Sequence, residues 1–75
     1  MTKQELGLRM KTLQLAAELE YYTILINGYT DIKNRNGGKW PDDSYRINFD
    51  AINMAYIEKS EEQEQLTAML YDLTH

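Results

Sequence analysis

Residues Thr2–Tyr29 read TKQELGLRMKTLQLAAELEYYTILINGY, and the apolar spacing in this stretch decides the fold. Leu8, Leu15, Leu19, Tyr22, Ile26 and Tyr29 recur at steps of four and three, with Thr12 completing the register, which is the pattern of a heptad seam. A second apolar line, Leu6, Met10, Leu13, Ala17 and Ile24, runs along the same helix. Two stripes give the helix more apolar circumference than one partner helix can cover. Thr2 and Glu5 have the spacing of a capping box, in which the Thr hydroxyl accepts from an early backbone N–H, so the helix begins at about residue 3.

Downstream, Asn34 to Ser44 is the strongest punctuation in the chain. Gly37-Gly38 resists helix and strand alike, and Pro41 biases Trp40 toward an extended backbone. Asn27-Gly28 offers an earlier stop, and the spacing predicts helix 1 over about 3–30 followed by a connector over about 31–47. Tyr45, Ile47 and Phe49 alternate with Arg46 and Asn48, which keeps open an α+β reading with a short hairpin at 29–49. Helix 2 is predicted over about 48–74, capped by Asn48 or Asp50. Phe49, Ile52, Tyr56, Leu66, Leu70 and Leu73 lie on one line interrupted by Lys59 and Gln63. Ser60-Glu61-Glu62-Gln63 repeats the capping-box spacing, which leaves open a kink or restart at Ser60 or one long helix with a solvated middle.

The expected class is therefore mainly α: one domain over 1–75, a helical hairpin joined by a Gly-rich connector. Seventy-five residues bury a thin core, and such chains usually add disulfides, metals or oligomer contacts. There is no cysteine, and the single histidine, His75, ends the sequence. Self-association remains, so the hairpin is expected to dimerise into a four-helix bundle through Leu8, Leu15, Leu19, Tyr22, Ile26 and Tyr29 with Leu66, Leu70 and Leu73.

Charge narrows the partners. The net charge is −4. Residues 50–75 set Lys59 against Asp50, Glu58, Glu61, Glu62, Glu64 and Asp72, whereas residues 29–49 carry Lys33, Arg35, Lys39 and Arg46. Direct nucleic-acid binding needs a basic face and is not expected. No apolar run is long enough for a signal segment or a membrane span, which places the protein in the cytoplasm as an expectation.

No metal, cofactor or nucleophile signature is present. Glu58, Glu61 and Glu62 share a helical face, but the di-metal carboxylate pattern also needs Glu-x-x-His pairs on facing helices. Gly37-Gly38 lacks the phosphate-loop spacing, and Ser44 and Ser60 have no histidine partner. The expectation is a non-catalytic interaction module, an inhibitor or adaptor that binds itself and a target protein. Its candidate target-binding residues are Arg35, Lys39, Trp40, Tyr45 and Arg46 at the connector, and Glu58, Glu61, Glu62 and Glu64 on helix 2. Trp and Arg are frequent interface anchors, though a lone Trp more often plugs the end of a helical pair. Two alternatives stay open: a nucleic-acid mimic using the acidic helix 2 face, and a small-ligand or nucleotide binder using Trp40 with neighbouring Arg and Tyr. In size, acidity and lack of cofactor motifs the chain is similar in style to small inhibitor proteins of phages and mobile elements.

Overall fold

Two helices account for nearly the whole chain. The computed structural model describes residues 1–75, with α1 spanning Lys3–Arg35 and α2 spanning Asp43–Thr74, packed against each other as an antiparallel hairpin. The molecule measures 52 × 17 × 14 Å. There is no strand: Tyr45, Ile47 and Phe49 are helical, so the hairpin considered at 29–49 does not form.

The Thr2 hydroxyl caps α1 by accepting from the Glu5 N–H at 3.1 Å. The helix then passes through Asn27-Gly28 and ends only at Arg35, five residues beyond the sequence expectation. A helix-interior glycine costs about 1 kcal/mol. Continuing the seam to Lys33 and completing a better stop at Gly37-Gly38 outweighs that cost. The stop is a Schellman arrangement. The Gly38 N–H donates to the Lys33 carbonyl at 2.9 Å and the Gly37 N–H to the Asn34 carbonyl at 3.3 Å. Both glycines sit at positive φ, 71° and 81°, where a Cβ would be strained.

Residues 36–42 alone form the connector, shorter than expected at both ends. Asp42, not Asn48 or Asp50, caps α2. Its backbone is extended and its carboxylate accepts from the Ser44 N–H at 2.8 Å and from the Ser44 hydroxyl. These bonds hold the Asp42 carboxyl below its ordinary value of 3.8. Of the two courses open at Ser60, α2 takes the continuous one. Ser60 lies half-buried inside an unbroken helix, where the seam on either side holds its backbone helical.

The α1 side of the seam is Leu8, Thr12, Leu15, Leu19, Tyr22, Ile26, Tyr29 and Lys33, all buried or half-buried. The α2 side is Tyr45, Phe49, Ile52, Tyr56, Lys59, Gln63, Leu66 and Leu70, on the same alternation of four and three. Both rows carry the heptad step that lets two helices stay in contact along their length. Only Leu15 is fully buried. Leu8, Leu15, Leu19, Tyr22, Ile26, Tyr29, Leu66 and Leu70 meet across α1 and α2 of one chain, and Leu73 lies outside the seam at 44% exposure.

Leu15→Ala is expected to cost roughly 2–5 kcal/mol, whereas Met54→Ala, on the outer face of α2, should stay within about 0.5 kcal/mol. Thermal melts followed by circular dichroism check the contrast. The Asp42 cap makes a pH prediction. A carboxyl held below its unfolded value adds stability that is present above pH 3.8 and lost as pH falls through the folded value. Asp42→Asn keeps a capping oxygen without the charge. Its melting temperature should therefore match wild type more closely at acid pH than at neutral pH.

Candidate interaction surfaces

The tip of the hairpin is an aromatic cluster. Trp40 is half-buried, 5.0 Å from the Phe49 ring and 6.5 Å from Tyr29, and Tyr29 is 6.1 Å from Tyr45 between ring centroids. The Lys33 ammonium stands 5.1 Å over the Trp40 ring, a cation–π contact. Edge-to-face and tilted rings at these distances attract beyond their burial. Trp40 thus folds back onto the helical pair, and Tyr45 is engaged with it. Lys33 was not among the sequence candidates. Its signal was the continuation of the α1 seam, four residues beyond Tyr29.

The cations around the tip are differently placed. Arg35 pairs with Asp31 at 3.1 Å and Arg46 with Asp50 at 3.6 Å, each one turn away along its own helix. Lys39 is exposed and its carbonyl accepts from the Asn36 amide at 3.0 Å. Arg35, Lys39 and Arg46 are exposed, and the cation seated on the cluster is Lys33.

The acidic residues of α2 divide as well. Glu58, Glu61 and Glu64 are exposed, while Glu62 turns toward α1 and lies 3.9 Å from Lys11. With 100° per residue, Glu58, Glu61 and Asp72 share the face opposite the seam, and Glu64 flanks it. Inside the seam, the Lys59 ammonium lies 3.1 Å from Glu18 Oε2. No donor is well aligned on that buried oxygen, so the contact is an ion pair more than a strong hydrogen bond. Contact with Glu18, as hydrogen-bond partner and then as charge, holds Lys59 above the ordinary lysine value of 10.5. Lys59, which interrupts the apolar line of helix 2, is the polar rung that matches Glu18.

Surface depressions lie elsewhere. The larger, about 660 Å³, is open and bounded by α2 side chains including Gln63, Glu64, Thr67 and Tyr71; the smaller is bounded by Arg9, Thr12, Leu13 and Leu70. Neither is lined by Trp40, Arg35 or Arg46. No group of three or more His, Asp or Glu side chains is arranged to hold a metal ion, and no helix is long and apolar enough to cross a membrane.

The structure also leaves large apolar side chains uncovered. Leu6, Met10, Leu13, Tyr21 and Ile24 on α1 are about half exposed or more, as are Ile47, Met54, Ile57 and Met69 on α2. Comparison with known proteins finds no matching family model, no matching curated protein and no matching solved structure.

Trp40→Ala is expected to cost on the order of 2 kcal/mol, because it removes the ring shared by Tyr29, Phe49 and Lys33. Lys39→Ala should stay within about 0.5 kcal/mol. Chemical denaturation of both variants checks the difference. Equal, negligible losses would mean that the Trp40 ring is not part of the packed end.

Proposed function

We propose that this chain is a small, acidic, non-catalytic protein–protein interaction module. The inner seam holds the hairpin, and the outer helix faces are for partners. One partner is a second copy, which turns two hairpins into a four-helix arrangement. The other is a target protein, and the chain acts on it as an inhibitor or adaptor by occupying its surface. The observation that carries this reading is a hairpin with one fully buried residue and large side chains exposed along both outer faces. A contiguous exposed apolar strip of this kind is the usual mark of a protein contact site.

For the target, the acidic outer face of α2 is favoured over the connector. Trp40 and Tyr45 are already engaged in the packed tip, whereas Glu58, Glu61 and Glu64 point to solvent without a cation partner. Such a ridge suits a basic surface. It also supports the second reading, that the basic surface is one that otherwise holds nucleic acid. Interfaces of this type are steered by charge and weaken with salt.

The test is affinity capture of the target followed by titration with purified components. Glu58→Lys/Glu61→Lys/Glu64→Lys is expected to weaken binding about tenfold or more, with a marked loss on raising ionic strength. Undiminished binding by the triple variant, with loss on Trp40→Ala, would transfer the contact to the connector. Thermal stabilisation by a metabolite, with no protein captured, would overturn the interaction reading itself.

A further inference from the structure

Leu6, Met10, Leu13, Ala17, Tyr21 and Ile24 follow one another at steps of four and three on the side of α1 turned away from α2, all exposed. At 1.5 Å per residue the strip runs for about 27 Å. Its only charged flanks over this length are Arg9 and Glu20, and at 100° per residue both fall on the same side of it. Arg9 bridges to Glu5 of its own helix at 3.1 Å while keeping 46% of its side chain exposed, and Glu20 makes no ion pair within the chain.

We infer that this strip is the interface of an antiparallel homodimer in which α1 of one chain packs on α1 of a second copy, with Arg9 of each facing Glu20 of the other. The inference rests on the reading of the chain as an interaction module and supplies the surface and register of its self-contact. A twofold axis perpendicular to two antiparallel helices brings the same flank of each together. A register centred on residue 15 sets Arg9 within one residue of the second copy's Glu20 and brings the apolar positions together. Leu6 falls opposite Ile24, Leu13 opposite Ala17 and Met10 opposite Tyr21, with the axis near residue 15. Leucine against alanine is a knob facing a hole, and a thioether beside an aromatic ring is a favourable contact. A parallel pair would instead set the Arg9 flank against the one carrying Lys3 and Gln14, which offers no acid.

The elongated chain exposes more surface than a compact fold of its mass. A compact monomer of 8.8 kDa is expected to expose about 4,800 Å². This chain exposes 5643 Å². The excess is close to the roughly 800 Å² per partner buried in an ordinary stable complex. α1 pairing leaves the acidic face of α2 on the outside of the assembly, free for a different protein.

Light scattering coupled to size exclusion, with circular dichroism as a check on folding, tests the assignment on the whole chain. Wild type is expected to be a dimer. Leu13→Asp and Ile24→Asp, both at exposed positions, should raise the dimer dissociation constant at least about a hundredfold at unchanged helix content, and Met54→Asp on α2 should not alter it. Arg9→Glu and Glu20→Arg singly should each weaken the dimer about tenfold, and the double exchange should restore it. A dimer indifferent to Leu13→Asp and Ile24→Asp, or single charge variants not rescued by the double, would overturn this interface and leave the interaction reading intact. A wild-type chain that stays at 8.8 kDa at every concentration would overturn both this interface and the self-association half of that reading.

Discussion

Everything in the molecule hangs on the row of side chains between α1 and α2. A heptad alternation on both helices, from Leu8 to Lys33 and from Tyr45 to Leu70, keeps the two in contact along their whole length. The row is closed at one end by Trp40 packed on Phe49 and Tyr29, and pinned along its length by Lys59 on Glu18 and Lys11 near Glu62. The ion pairs are partly solvated and set register more than strength. Strength comes from the apolar rungs, and there Leu15 alone is fully out of water. A seam one side chain deep leaves the hairpin with little apolar burial for its length.

That thinness links fold to function. A protein's net stability is a small difference between large terms, and conformational entropy must be met by burial. An elongated hairpin with an uncovered apolar strip along α1 gains most by covering it. Polar residues at the other positions keep the strip narrow, so that it matches one helix and not a broad surface. The outer face of α2 differs in kind: it exposes Glu58, Glu61 and Glu64, the charges through which the proposed reading has it meet a basic partner. One chain therefore carries two faces of different chemistry, each suited to a different contact.

Much of this was legible in the residues. The α1 seam from Leu8 to Tyr29, the Thr2 cap and the existence of two apolar stripes follow from spacing alone. Which stripe meets α2 does not, because both are apolar and the difference lies in partners distant in sequence. The α2 seam alternates in step with the Leu8 row, and Lys59 finds Glu18 only in that register. The helix limits were misplaced for local reasons. Gly28 resembles a stop, but Gly37 and Gly38 supply the positive φ that a Schellman cap requires. Asp42 lies before residues that alternate like a strand, and its bonds to Ser44 carry the helix through them. Trp40 reads as a plug more readily than as an epitope, and Lys33 and Phe49 around its ring place it in the packed tip.

In the proposed dimer, association completes a core that the single hairpin leaves unfinished. The most direct measurement is the melting temperature of the unmodified chain as a function of its own concentration. Mass action requires that folding coupled to dimerisation become more stable as concentration rises. The proposed dimer requires a melting temperature that climbs steadily over about two decades of concentration. A melt that is sharp, reversible and independent of concentration would contradict it, because the inner seam alone would then suffice.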